Sequence, residues 1–399
     1  MATNRIGLAE LLAAAEDASP VASLDMVADN LRDRFGTQQV SFLFADVVGQ
    51  QVVRISEETA PRRGRRGADQ IPLAGSIYDE VLRTQKLAQE PDGDMQRVVA
   101  PVTNRGDTIG VLELFLPQAT QEVLEQVEEA AHALAYIIVT DRRFTDLYHR
   151  GARTTQLSLA AEIQRQLLPS AASCEAAEFA LACALVPADT IAGDTYDYSL
   201  DHATLHLAVT DAMGHDVDAS LMASLLVNAS RGARRAEEDL AEQARQANQA
   251  LLDHGRGAFA TGQLLRIALD GSGAQLVNAG HPWPLRLREG TVDEVRLDAD
   301  LPFGVHAPGR YRVQDFDLAP GDRLVLYTDG MQERRAASVD LPDVIHNTAG
   351  EHPREVVRSL TEAVTDACHG HPADDATIVC LDWHGPQPAG RHAQAGADR

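Results

Sequence analysis

Four aspartates, each at the end of a short apolar run, are the residues of this chain best suited to chemistry. Asp194 follows Gly193 and opens a run, while Asp211 closes His206-Leu207-Ala208-Val209-Thr210 and leads into Ala212-Met213-Gly214-His215. Asp329 closes Leu324-Val325-Leu326-Tyr327-Thr328 and precedes Gly330, and Asp374-Asp375 opens Ala376-Thr377-Ile378-Val379-Cys380-Leu381. A glycine beside an aspartate lets the backbone turn sharply where a carboxylate has to point into a cleft. Any one of these could be an ordinary turn aspartate. Four at strand ends, three of them beside a Gly or a second Asp, imply carboxylates that converge. Converging carboxylates repel one another, and divalent cations are what holds such a set together. Oxygen donors with no Cys or His among them favour Mg2+ or Mn2+ over Zn2+.

The elements that must carry these residues are legible as periodicities. Leu24, Val27, Leu31 and Phe35 have helical spacing, closed by Gly36. Residues 40–44 and 51–55 read as a hairpin around Val48-Gly49, and residues 97–102 and 108–114 as a second one around Asn104-Arg105-Gly106-Asp107. A helix from Thr120 buries Val123, Val127, Ala131, Leu134 and Ile138. Arg62, Arg63, Arg65 and Arg66 read as a solvated loop. Leu159, Ile163 and Leu167 form an i, i+4, i+8 stripe ending at Leu168-Pro169. Helices over 219–231 and 237–252 follow, then alternating strands over 259–269, 274–277, 291–297, 311–318 and 323–328. The fold class expected is α+β: an α/β domain over 1–145, a linker helix over 146–170, and a sandwich of mostly antiparallel sheets with helices outside over 171–384. From Gly385 large apolar residues almost vanish, which predicts a disordered tail over 385–399.

Composition narrows the function classes. The 399 residues carry 59 acidic and 35 basic side chains, a net charge of -24, so nucleic acid is not an expected partner. Cys174, Cys183, Cys368 and Cys380 lack paired metal spacing and read as free buried thiols in a reducing compartment. Glu10, Glu16 and Asp17 interrupt the N-terminal apolar stretch, so it does not read as a signal peptide, and no run approaches the ~20 residues of a membrane helix. A cytoplasmic protein without membrane contact is expected.

Seven motifs taken together carry a family resemblance. They are Ala192-Gly193-Asp194-Thr195-Tyr196-Asp197, Asp211-Ala212-Met213-Gly214-His215, Asn278-Ala279-Gly280-His281-Pro282, Leu301-Pro302-Phe303-Gly304-Val305, Pro320-Gly321-Asp322-Arg323-Leu324, Tyr327-Thr328-Asp329-Gly330 and Asp374-Asp375-Ala376-Thr377. In order and spacing they resemble the bacterial PP2C-like serine/threonine phosphatases of the SpoIIE and RsbU type, over about half the chain. The resemblance implies an α-β-β-α sandwich and two Mn2+ or Mg2+ ions. Asp194 and Asp211 would take the bridging and first-metal positions with the carbonyl of Ala212, and Asp329 and Asp374 would complete the second. Asp375 replaces Asp374 if the register is off by one. Asp197 would orient a water or cap a turn, His215 would protonate the leaving serine oxygen, and His281 would fix a loop. Where the family has Gly-Gly-Asp and Gly-His-Gly, this chain has Ala192-Gly193-Asp194 and Gly214-His215-Asp216.

A phosphate monoester needs its charge neutralised and a nucleophile supplied at neutral pH, and two metals answer both needs. No Cys-x5-Arg motif surrounds any cysteine. The helix, strand pair, hairpin and closing helix of 1–145 resemble a GAF domain, which implies a sensory or dimerising role and a homodimer through this domain and the linker helix. The segment 161–169 looks like the family's entry helix, a lever or a tether. By analogy the substrate would be a phosphorylated STAS-type anti-sigma-factor antagonist. The rival readings are a catalytically weak or inactive scaffold that binds a partner, and an enzyme acting on a small phosphorylated molecule.

Overall fold

Turn residues and period-two alternation account for the architecture of each half. The computed structural model describes residues 8–37, 39–46, 51–54, 69–148, 158–188, 193–214, 217–306 and 309–386. The chain divides into two compact units, Met1–Gln156 and Leu157–Arg399.

The first unit contains helices α1 (Leu8–Asp17), α2 (Ser23–Phe35), α3 (Ile77–Thr84) and α4 (Gln121–Asp141). Its strands are β1 (Val40–Ala45), β2 (Gln51–Arg54), β3 (Asp69–Pro72), β4 (Ala88–Asp92), β5 (Met95–Asn104) and β6 (Asp107–Leu116). Gly36 ends α2 in the left-handed region at φ 66, as its position predicts. Thr120 caps α4 by accepting the N–H of Val123. The sheet runs β3-β2-β1-β6-β5-β4 with every neighbour antiparallel. Both expected hairpins are present as β1–β2 and β5–β6, the second turning through Arg105 and Gly106 at positive φ. Val98, Ala100, Val102, Leu112, Leu114 and Leu116 join the cluster formed with α1, α2 and α4. Val99 and Val111 point the other way, into a smaller cluster with Tyr78 and Val81 of α3. On that face the buried Glu113 carboxylate accepts from Tyr78 Oη at 2.7 Å, Arg97 Nε at 2.8 Å and Arg54 Nη2 at 2.5 Å. The polar edge strands β3 and β4 and the short α3 gave no clear periodic signal. The arginine loop at 62–66 lies outside the described residues.

The second unit opens with α5 (Leu159–Leu167), β7 (Ser173–Glu175), β8 (Phe179–Val186), β9 (Asp194–Leu200), β10 (Thr204–Ala212), α6 (Val217–Arg235) and α7 (Leu240–His254). It continues with β11 (Ala260–Ala268), β12 (Ala274–Ala279), β13 (Leu285–Arg288), β14 (Thr291–Glu294), β15 (Gln314–Phe316), β16 (Arg323–Tyr327), α8 (Leu341–Asn347), α9 (Pro353–Ala367) and β17 (Ala376–Trp383). Two antiparallel sheets form, β15-β12-β11-β10-β9 and β14-β13-β16-β17-β8-β7. Between them lie Phe179, Leu181, Leu205, Leu207, Val209, Leu265, Leu324, Leu326, Val379, Leu381 and Trp383. The outer face of the first sheet packs on α6 and α7 through Leu226, Leu240, Leu251 and Leu264. Leu341, Ile345, Val356 and Leu360 of α8 and α9 cover the outer face of the second. This is the α-β-β-α sandwich, and burying each of its large apolar side chains contributes about 1.5–3 kcal/mol.

Helix α5 is part of this unit. Ser220 Oγ donates to the Ala160 carbonyl at 3.1 Å and Arg231 Nη2 to that of Leu167 at 2.5 Å. Its buried face is Ala160, Ala161, Gln164 and Leu167, whereas Leu159 is 66% exposed. The stripe read from Leu159, Ile163 and Leu167 is therefore rotated, with an amide at its centre. All four cysteines are free, and Cys183, Cys368 and Cys380 are buried. Among the described residues no helix is long and apolar enough to cross a membrane. The tail from 387 onward lies outside the described residues.

Candidate active site

Strand parity decides which side chains meet. Leu205, Leu207 and Val209 of β10 face the interior of the sandwich, so Asp211 does too. On β9, Tyr196 faces inward and so does Asp194, which pairs directly with Asp211 in the antiparallel register. In the opposite sheet Leu324, Leu326, Val379 and Leu381 face inward, which aims Thr328 and Thr377 at Asp194. Both hydroxyls donate to Asp194 Oδ2, at 2.6 and 2.7 Å, and the Thr377 N–H donates to Thr328 Oγ1 at 2.9 Å. The Asp194 carboxylate, 3% exposed, is thus tied to both sheets. Asp329 stands just past β16, opening a short 3-10 turn through Met331, and Asp374-Asp375 stands just before β17.

Two glycines make the convergence possible by their size. A Cβ on Gly193 would lie 2.3 Å from the Ala212 carbonyl oxygen, and one on Gly330 would lie 1.9 Å from that of Asp375. Neither has positive φ, so space is the requirement. Gly330→Ala is expected to cost about 1–3 kcal/mol of stability by overpacking this corner; denaturant unfolding checks it, and an unchanged midpoint would mean that the two turns are not pressed together.

The acid residues sense one another. Burial and then repulsion from Asp211 and Asp375 hold the Asp194 carboxyl well above its ordinary range, against the two threonine bonds. Burial, followed by the charges of Asp329, Asp374, Asp375 and Glu333, pushes Asp211 up to about 7. Asp329 is raised by burial, Glu333 and Asp374, and Asp375 by burial to about 6. Nothing in the sequence reading singled out Glu333, which lies four residues beyond Asp329. In this arrangement, among the described residues, no three His, Cys, Asp or Glu side chains are grouped tightly enough to hold a metal ion. The donor chemistry and the mutual repulsion nevertheless fit a divalent cation: Asp194, Asp211 and Asp329 are hard oxygen donors, each held above the ordinary carboxylate range by burial and by neighbouring carboxylates.

Other expected site residues fall as follows. Asp375 Oδ1 accepts from the Ala188 N–H at 2.9 Å, Oδ2 accepts from Gln164 Nε2 at 2.6 Å, and its own N–H donates to Asp374 Oδ1 at 2.8 Å. Asp375 is 1% exposed and engaged, which leaves Asp374 the more open of the two. Asp197 neither caps a turn nor faces the acid cluster. It pairs with Arg231 at 2.8 Å and Arg234 at 2.9 Å of α6. Parity explains this correction, since a residue three along a strand from Asp194 lies on the opposite face. Asn278 brackets the backbone N–H and C=O of His281, whose Nδ1 lies 2.8 Å from Thr261 Oγ1, on the strand neighbouring Asp211. Burial pushes the His281 imidazole down to about 4, which suits a fixed, neutral ring. Ala192, His215 and Asp216 lie outside the described residues.

The family-model match falls within this unit. Residues 201–384 match the family model of stage II sporulation protein E (SpoIIE). The chain is 23% identical over 276 residues to the phosphoserine phosphatase RsbU of Bacillus subtilis (strain 168), covering 64% of this chain and 80% of that one. Among solved structures, the SiaA PP2C domain of Pseudomonas aeruginosa aligns at a TM-score of 0.46 and 25% identity, over 56% of this chain and 93% of that one. The structure containing the PP2C phosphatase domain of SpoIIE from Bacillus subtilis aligns at 0.45 and 21%, over 53% of this chain and 65%, less than two thirds, of that one. The second unit, two facing sheets with helices outside and acid residues at the strand ends, has a PP2C-like fold. Within that class it is a SpoIIE-type domain, homologous to RsbU.

Proposed function

We propose that this chain is a metal-dependent protein serine/threonine phosphatase that hydrolyses phosphoserine or phosphothreonine with two Mn2+ or Mg2+ ions. The observation that supports it most is the set of aspartates from two facing strand pairs, of which Asp194, Asp211 and Asp329 have carboxyls raised by burial and by neighbouring acids. Asp194 and Asp211, with the Ala212 carbonyl, would hold one side of the pair of ions, and Asp329 and Asp374 the other. Bound there, the cations supply charge neutralisation and an activated water for in-line attack at phosphorus. Thr328 and Thr377 fix the rotamer of Asp194. Gly193 keeps the Ala212 carbonyl accessible where a Cβ would crowd it. His215, two residues past Met213, is the proposed proton donor to the leaving oxygen.

By homology with RsbU the substrate is a partner phosphoprotein, and we take a STAS-type anti-sigma-factor antagonist as its class. The first unit is proposed as a GAF-like sensor that regulates the phosphatase and mediates a homodimer. One observation favours the scaffold reading instead: no three potential ligands are grouped tightly among the described residues. Turnover of a phosphoserine peptide against an aryl phosphate, with and without Mn2+, separates the readings. Mn2+-dependent release from the peptide supports the phosphatase; no turnover of either supports the scaffold; preference for the aryl ester points to a small-molecule enzyme.

A further inference from the structure

The acid cluster is held from behind by one neutral side chain. Gln164, 1% exposed on α5, spends both protons of its amide on the site, donating to the Asp194 carbonyl at 2.8 Å and to Asp375 Oδ2 at 2.6 Å. Asp375 is in turn the point on which the other acids rest. Its N–H holds the Asp374 carboxylate at 2.8 Å, and its carbonyl is the surface against which Gly330 packs, fixing where Asp329 leaves its strand. Its remaining carboxylate oxygen takes the Ala188 N–H at 2.9 Å. We infer that Gln164 is the positioning residue of this site: a single carboxamide on α5 sets the separation of the strand ends bearing Asp194, Asp374 and Asp329, and Asp375 is its structural counterpart and not a ligand.

The chemistry of the position leaves few substitutes. Among neutral side chains only a primary amide offers two N–H groups from one nitrogen to two acceptors, here on the strand end of Asp194 and on Asp375. Glutamate would keep the shape, lose both donors when ionised and add a charge against Asp375. Leucine would leave a buried carboxylate oxygen without its donor, which is costlier than never having buried it. Ser220 and Arg231 anchor the helix at Ala160 and Leu167, on either side of Gln164, so the amide is presented from a fixed element.

This inference rests on the phosphatase reading for its consequence and on the hydrogen bonds for its substance, and the test separates the two. In the full chain, Gln164→Leu is expected to weaken Mn2+ binding, measured calorimetrically without substrate, by about tenfold or more, the range seen when groups that orient metal ligands are lost. Turnover should fall most at low Mn2+ and recover in part at saturation. In metal-free protein, exchange of the Ala188 amide should accelerate by at least about tenfold, because its acceptor is no longer braced. Gln164→Glu should be worse, and combining it with Asp375→Asn should recover affinity in part, because the amide introduced at position 375 can donate to the carboxylate introduced at position 164 while the Asp194 carbonyl stays without its donor. Should the leucine variant fold poorly, the comparison of Gln164→Glu with that double variant decides alone. Wild-type Mn2+ affinity and Ala188 exchange in Gln164→Leu, even with a lowered melting temperature, would overturn the positioning role. If the wild-type chain neither binds Mn2+ nor cleaves phosphopeptide, the phosphatase reading falls, and the Ala188 exchange rates still accept or reject the Gln164 tie.

Discussion

Asp211→Asn is expected to lower phosphoserine-peptide turnover by about three orders of magnitude at saturating Mn2+ while making the metal-free protein more stable at neutral pH. The amide keeps the shape of the side chain but removes the charge that a bridging or first-metal position must supply. The stability gain follows from proton linkage. The folded carboxyl titrates at about 7, above the ordinary 3.8, so between these values the native state holds a proton that the unfolded chain has lost. Stability from this group therefore falls as pH rises from about 4 to about 7 and is fully lost above that. Asparagine cannot titrate, so the variant and wild type should be nearly equal near pH 4 and diverge as pH rises. Urea unfolding at several pH values, with turnover measured on the same samples, checks both halves. Near-normal turnover, or parallel pH slopes, would remove Asp211 from the site.

Removing divalent metal is expected to abolish turnover entirely, and restoring Mn2+ to return it. The proposed donors, four aspartates and a carbonyl, bring no positive charge of their own against a phosphoryl dianion, and the net charge of -24 makes the surroundings no more welcoming. The same ions should stabilise the folded chain by about 2.7 kcal/mol at a hundred times their dissociation constant. That shift should disappear in Asp211→Asn. Thermal unfolding across an Mn2+ titration, run beside an EDTA-treated activity assay, tests the claim. Full activity in excess chelator would end the two-metal reading.

What the sequence disclosed and what it hid differ in range. Asp194, Asp211, Asp329 and Asp374 were visible because each sits at the junction of a local pattern with a turn residue, and the strands that carry them alternate cleanly. The inward aim of Asp194 and the outward aim of Asp197 were also recoverable, since counting parity along β9 separates them. Gln164 was not. A glutamine beside a Leu-Ile-Leu spacing reads as the wet side of a helix, and only the partners at Asp194 and Asp375, 30 and 211 residues away, turn it inward. Thr328 and Thr377 were hidden for a related reason: β-branched hydroxyls are ordinary strand residues until an opposite sheet places a carboxylate against them. Edge strands β3 and β4 carry too little apolar pattern for alternation to register, because an edge that faces water has no reason to alternate.

The position of β17 within its sheet bears on how the protein is made. This strand is the last of the chain's described elements, yet it lies in the interior of the sheet, between β16 and β8. During synthesis those two strands wait with facing edges open, separated by the whole intervening sequence, and Asp194 lacks its Thr377 contact until residue 377 has been added. An unpaired pair of apolar edges is an invitation to association with other chains. A nascent or truncated product ending before Ala376 is therefore no weaker version of the folded unit; it is a split sandwich whose Asp194 lacks one of its two threonine partners, a client for chaperones and proteases.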